Sequence, residues 1–203
     1  MCKCFNILPA NHFGARPSHT TTDSLHLLVK KVKDAWRARK VASTLFLDVQ
    51  GAFPSMAVDW LLHNMWMQGI LMEYMEWMKR RLIGWQTALV FDDHQKAYFA
   101  INNRLDQGDP FSGCCYLIYN TDLLKIPMAQ HGKTILLFVD DTAVLIVEKT
   151  FTDAHQRLKE IMEWAGGIFD WAHKHNCEFG IEKFQLVNFS WWLIPNSMNP
   201  RKK

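Results

Sequence analysis

This 203-residue chain has no strong charge excess of either sign. Its 23 basic side chains stand against 20 acidic ones, a formal net charge of +3, too mild to mark a nucleic-acid binder by composition. Long apolar runs are missing too. No stretch of about 18 apolar residues indicates a membrane span, and no charged-then-apolar segment opens the chain as a secretory signal. The expectation is a soluble intracellular protein without a membrane partner, in the nucleus or the cytoplasm. Cysteine is scarce and odd in number. The five (Cys2, Cys4, Cys114, Cys115, Cys177) show no spacing of a disulfide framework, which fits a reducing compartment. Internal repeats and low-complexity segments are also absent, so nothing points to a solenoid.

What is present describes a globular domain. Hydrophobic residues make up 49% and charged residues 21%, in a chain long enough to bury a substantial core. Charge is uneven along it. From Lys30 to Lys40, six basic residues face one acid, Asp34. That reads as a solvated helix face, with a phosphate-contacting stripe as the alternative. The cluster HKHNC (His173, His175, Cys177) offers soft metal ligands, but no fourth ligand at zinc-site spacing accompanies it. A helix-end loop is the expected reading.

Periodicity gives the element order. Leu25, Leu28, Val29, Val32, Ala35 and Trp36 recur at helical spacing after Thr/Asp cap chemistry, predicting a helix over 23–39. STLFLDV (43–49) reads as a buried strand. Residues 57–68 and 71–83 read as helices split at Gly69, and their Met/Trp stripe as core or partner surface. QTALVF and KAYFAI flank DDHQ as a hairpin with a polar tip. A helix capped at Ser112 is expected to run to about Leu124. KTILLF and TAVLIV form a second hairpin with VDD at its bend. A long helix over 152–174, interrupted at Gly166-Gly167, precedes a final strand pair near 178–179 and 185–189. The order predicts an α+β fold: an antiparallel sheet with helices packed on one face, in the manner of a split βαβ unit. The domain spans 10–190, and a tail over 191–203 is expected to be disordered.

LLFVDDTAVLIV (136–147) places Asp140 and Asp141 side by side in apolar company, where unpaired carboxylates are costly and repel each other. Asp92 and Asp93 form a near-control, followed at once by His94, Gln95 and Lys96 in a solvated loop. Asp140 and Asp141 run instead straight into Thr142, Ala143 and Val144, a tight turn against the sheet. Together with Asp48 at the end of LFLD, they make three acids on strand ends, rigid mounts drawn from distant parts of the sequence. Two-metal phosphoryl or nucleotidyl transfer needs such an arrangement. Bound cations would keep all three ionised, and hard oxygen ligands favour Mg²⁺, with Mn²⁺ possible. The plain alternative is turn chemistry, each acid bonding only backbone.

Taken in order, the segments resemble the reverse transcriptase domain of non-LTR (LINE-type) retrotransposons, particularly fungal ones. FGARPSHTTTDSL is similar to the segment before the family's motif A, LFLDVQGAF to motif A, LDQGDPFSG to motif B, FVDD to motif C and FGIEKFQLVNF to motif D. The resemblance covers about residues 10–190 and implies a polymerase palm with a partial fingers region. It implies that Asp48 and Asp140 are the principal Mg²⁺ ligands with Asp141 beside them, and that Phe53 is a steric gate excluding a ribose 2′-OH. Gln107 and Gly108 would lie against the incoming nucleotide and template, where glycine permits close backbone approach. Lys183 would donate a proton to the leaving pyrophosphate. The implied activity is RNA-directed DNA polymerisation: dNTP addition to a DNA primer 3′-OH on an RNA template, by what reads as a partial domain lacking the family's dNTP-gripping fingers motifs, thumb and endonuclease. Two further readings stand beside it: a non-catalytic remnant retaining the palm fold, and a nucleic-acid or protein interaction module using the Lys30–Lys40 face and the Trp/Met-rich helices. Asp109 is an extra acid that would hinder triphosphate binding unless it points away, and Arg16 is no assured substitute for the fingers' phosphate grip. Oligomeric state is not legible.

Overall fold

The computed structural model describes residues 8–14, 16–92, 94–100, 105, 108–129 and 132–191. The first helix, α1 (Thr21–Arg37), starts where the chain chemistry dictates. Thr20 Oγ1 accepts from the Asp23 amide, and Asp23 Oδ2 accepts from the Thr20 amide at 2.7 Å, a reciprocal capping box. The Thr20 hydroxyl also donates to Asp23 Oδ2 at 2.8 Å, and this bond first, then the amide's, holds the Asp23 carboxyl below its usual range. Replacing Thr20 with Ala should therefore cost about 1 kcal/mol in urea unfolding. An unchanged midpoint would show that the box contributes nothing.

Next come β1 (Val41–Leu47), β2 (Val49–Gln50), α2 (Val58–Met67) and α3 (Met72–Leu82). The first expected hairpin consists of short pairings only: β3 (Gln86–Thr87) with β6 (Phe99–Ala100), and β4 (Val90–Phe91) with β5 (His94–Gln95). Asp92 turns its tip, and Asp93 lies outside the described residues. The following helix, α4 (Pro110–Tyr119), is capped by Asp109 with Pro110 in its first turn, so the predicted Ser112 cap is corrected. It also ends at Tyr119 instead of near Leu124, and the backbone tightens into a 3₁₀ run over Thr121–Ala129. Then follow β7 (Lys133–Phe138), β8 (Asp141–Glu148), α5 (Phe151–Glu163), α6 (Ile168–Lys174), β9 (Glu178–Phe179) and β10 (Gln185–Phe189). The break between α5 and α6 falls at the predicted glycine pair.

The main sheet has the order β10-β1-β8-β7, antiparallel throughout. The last two strands do not pair with each other, as the sequence had suggested. β9 pairs with β2 and β10 with β1, and the five residues between β9 and β10 carry the chain from one edge to the other. Alternation along β1 serves two cores. Leu45 and Leu47 join Ile135, Leu137, Val144 and Ile146 under α2, α4, α5 and α6. Ala42 and Phe46 point the other way, with Leu136 and Leu145, onto Leu28, Val32 and Ala35 of α1. The expected helical layer on one face is thus present, and α1 adds a cover on the other.

In the Met/Trp stripe, Met65 and Met78 are core, while Trp66, Met67, Met72 and Trp77 are exposed. Of the two HKHNC histidines, His175 is structural. His175 stacks between Trp60 and Trp171 at 4.8 and 4.4 Å, and its Nε2 lies 3.0 Å from Asp122. Cys177 is a buried thiol beside the Tyr119 hydroxyl, pushed up to about 11, chiefly by burial. Among the described residues, no helix is long and apolar enough to cross a membrane. The predicted tail lies outside them from residue 192.

Candidate active site

The antiparallel register sets up the site. Leu47 of β1 faces Thr142 of β8, so one step further Asp48 comes opposite Asp141. Phe138 pairs with Asp141, leaving Val139 and Asp140 as a two-residue bend. Val139 has φ +59°, a left-handed conformation that costs a β-branched residue about 1–3 kcal/mol. The β2–β9 pairing carries the chain after Phe179 back to the same place. The Gly180 amide donates to the Asp48 carbonyl at 3.0 Å, and a short 3₁₀ turn over Ile181–Lys183 follows. Lys183 Nζ then lies 2.7 Å from Asp48 Oδ2.

Asp48, Asp141 and Lys183 share the wall of a cleft of about 550 Å³, open between the sheet and α1, with Ser24, Leu25, Phe46 and Phe138 among its other lining residues. Asp140 sits at the bend and does not line this cleft. Its charge is felt by Tyr116, whose hydroxyl is pushed well above its ordinary range by burial first, then by Cys177, Tyr119 and Asp140. Phe53 is half-buried with its ring 5.3 Å from that of Tyr116. Gly108 immediately precedes the Asp109 cap with φ +94°, a conformation that suits glycine, and it too is not a cleft residue. Gln107 lies outside the described residues.

Burial raises the Asp141 pKa, and the charges of Asp140 and Asp48 add to it. Lys183 shifts upward through its hydrogen bond and charge contact with Asp48. A raised acid binds its proton more strongly folded than unfolded. Ionised Asp141 therefore costs stability once pH exceeds its unfolded value, and the cost grows until the folded pKa is passed. Asp141→Asn should accordingly stabilise the metal-free protein at neutral pH, by less than about 1 kcal/mol because the site is largely solvated. A lower melting temperature for this variant would contradict that sign.

Among the described residues, no group of three His, Cys, Asp or Glu side chains is preformed to hold a metal ion. The donor chemistry nevertheless suits a hard cation: Asp48 and Asp141 share the cleft wall at two strand ends with Asp140 on the adjoining bend, Asp141 resists ionisation beside its neighbours, and a cation, the Lys183 ammonium, already sits on Asp48.

Two features were not legible in sequence. Arg81 of α3 reaches Asp109 at 3.3 Å and lies 4.5 Å over the Phe111 ring. The Asp109 carboxylate, which also accepts from the Phe111 amide, is thereby turned to local duty, and nothing in the sequence links positions 81 and 109. Arg16 is likewise spent locally, donating to the Pro9 and His12 carbonyls at 2.8 and 2.9 Å.

Comparisons with known proteins bear on the family and the fold. The family described as Reverse transcriptase (RNA-dependent DNA polymerase) matches residues 1–196. The chain is 24% identical over 193 residues to a probable RNA-directed DNA polymerase from transposon X-element of Drosophila melanogaster, covering 91% of this chain and 20% of that protein. It is also 24% identical over 195 residues to an RNA-directed DNA polymerase from mobile element jockey of Drosophila funebris, covering 90% and 20%. The chain thus spans about one fifth of these relatives. In structure it is similar to telomerase from Candida tropicalis in complex with a telomeric RNA fragment, with TM-score 0.65 at 12% identity, covering 89% of this chain and 30% of that one. For the apo telomerase of that organism the TM-score is 0.61 at 11% identity, covering 88% and 33%. At such identity the likeness concerns the fold: an α+β, palm-like polymerase domain.

Proposed function

This chain belongs to the reverse transcriptase (RNA-dependent DNA polymerase) family, and on that premise we propose that it supplies the palm of an RNA-directed DNA polymerase from a non-LTR retrotransposon, adding dNTPs to a DNA primer 3′-OH on an RNA template. The observation that carries this reading is the juxtaposition of Asp48 with Asp141 across the β1–β8 pair, with Asp140 at the adjoining bend. Asp48 and Asp140 would be the principal ligands for Mg²⁺ or Mn²⁺, with Asp141 beside them. Such ions, when bound, supply Lewis-acid activation of the attacking oxygen and charge stabilisation at the leaving one.

The chain's own side chains do the rest. Lys183, 2.7 Å from Asp48, is placed to donate its Nζ proton to a leaving pyrophosphate. Phe53, braced on Tyr116, walls the sugar side of the nucleotide against a 2′-OH. Gly108 would lie against the nucleotide and template, a role the family resemblance also gives to Gln107. With Arg81 drawing Asp109 aside, the motif B loop presents less negative charge to a triphosphate.

A second reading, a palm that folds but does not turn over, is favoured by the Lys183 ion pair on Asp48. Magnesium-dependent extension of a primer on RNA separates the two. Extension by wild type that Asp140→Asn abolishes supports the polymerase. Equal inertness of both, with duplex binding retained, supports the remnant.

A further inference from the structure

We propose that Asn11–Gly14 together with Asn120 forms a positioning clamp that sets the Val139–Asp140 bend, and with it the place of the Asp140 carboxylate. The inference rests on the reading of Asp140 as a metal ligand.

The bend is not one its own residues favour. Two-residue hairpins with positive φ at the first central position alone carry glycine there, and this one carries Val139 at φ +59° with Asp140 at negative φ. Support must come from elsewhere in the chain, and three contacts supply it. First, Asn120 Nδ2 donates to the Val139 carbonyl at 2.6 Å, and Asn120 Oδ1 accepts from His12 Nε2 at 2.8 Å. His12 is fully buried, and burial, which outweighs the bond to Asn120, holds its pKa down to about 4. The imidazole is therefore neutral near pH 7, and the bond fixes its proton on Nε2. Second, the segment adds a short parallel pairing to β7. The Phe13 amide donates to the Leu137 carbonyl at 2.9 Å, and the Leu137 amide to the Asn11 carbonyl at 3.0 Å. This rail ends two residues before the bend. Third, Gly14 lies directly against Val139. A methyl group on Gly14 would overlap the Val139 amide nitrogen and Cγ2, and would come within 3.0 Å of the Phe138 carbonyl carbon. Two of the three partners are backbone atoms with nowhere to turn, so any side chain at 14 displaces the bend. Arg16, bonded to the Pro9 and His12 carbonyls, fixes the segment from the far side.

A carboxylate that must meet a metal within about half an ångström needs such support. His12, Gly14 and Asn120 touch no reacting atom, so they are positioning residues.

The test is Mn²⁺ titration of the full chain by electron paramagnetic resonance, beside thermal melting and single-nucleotide incorporation. Asp140→Asn serves as the reference and should bind Mn²⁺ at least tenfold more weakly than wild type. Gly14→Ala should do likewise, as should Asn120→Asp, which keeps the acceptor for His12 but sets a carboxylate against the Val139 carbonyl. His12→Gln, whose side-chain amide offers an N–H in place of the imidazole Nε2–H, should stay within about twofold of wild type. Thr20→Ala should lower the melting temperature without changing Mn²⁺ affinity. If Gly14→Ala does not fold, the nearly isosteric Asn120→Asp carries the test. Wild-type Mn²⁺ affinity in Gly14→Ala and Asn120→Asp, with melting shifts alone, overturns the clamp and leaves the metal reading standing. Wild-type affinity in Asp140→Asn overturns the metal reading, and the clamp with it.

Discussion

Asp48→Asn should lower primer extension on RNA by at least about 10³-fold, equivalent to about 4 kcal/mol of transition-state stabilisation, while the melting temperature scarcely moves. The carboxylate ends β1, where β8 and the β2–β9 pair fix its position. Asparagine keeps its size and loses its charge, so the geometry survives while the strongest ligand to a hard cation is gone. The ion pair lost with it is solvent-exposed, its side chains 59% and 34% accessible, and such pairs contribute little to stability. A second signature is Lys183. Its raised pKa comes first from the hydrogen bond to Asp48 and then from that charge, so in the variant it should fall back towards its ordinary value, as a ¹⁵N titration of the ammonium would show. The sign for stability follows. The pair's contribution is present below the unfolded lysine pKa and is lost as pH rises through the folded one, so the variant should lack this alkaline loss. Extension within tenfold of wild type would remove Asp48 from the site.

Trp171→Ala should be the most damaging core substitution near the former metal candidate, costing about 3–5 kcal/mol out of the about 5–15 kcal/mol that holds a domain of this kind folded. Trp171 is buried, stacks on His175 and donates from Nε1 to Asp122 Oδ1 at 2.7 Å. Burial acts to raise the Asp122 carboxyl, but the bonds from His175 and Trp171 outweigh it and the pKa falls. Removing the indole leaves a cavity and a partly stranded carboxylate together. The same packing predicts that EDTA leaves the urea midpoint unchanged, since His175 is occupied by Asp122 and two indoles. A midpoint that drops with EDTA when no Mg²⁺ or Mn²⁺ has been added would restore HKHNC as a metal candidate, and a Trp171→Ala loss below about 1 kcal/mol would overturn the packing.

Local chemistry was the legible part of this fold. Thr20 and Asp23 are three residues apart and announce their helix. The apolar alternation around Asp140-Asp141 announces a hairpin, but the contrast with Asp92-Asp93 as a loop does not hold: His94 pairs with Phe91, so Asp92 also stands at a hairpin turn, and that ladder differs in being exposed. What could not be read is non-local. His12 and Asn120 bond across 108 residues, and neither lies in a pattern that calls for the other. The partners of β9 and β10 depend on which edges β2 and β1 leave free, a property of the assembled sheet. The Asp109 cap was missed because Ser112 offers the same cap chemistry three residues later, and Pro110 is the signal that should have decided it. For the site, sequence placed Asp48 and Asp141 at strand ends. It could not place Lys183 on Asp48, because that contact depends on the short β2–β9 pairing.

The central claim is that these carboxylates serve template-directed DNA synthesis, and swapping the template tests it most directly. On a poly(rA) template with an oligo(dT) primer and Mg²⁺, the chain should incorporate dTTP. On poly(rC) with oligo(dG) it should switch to dGTP, and Asp140→Asn should do neither. Incorporation that ignores the template, or a wild type as inert as Asp140→Asn while still binding the duplex, would contradict the account.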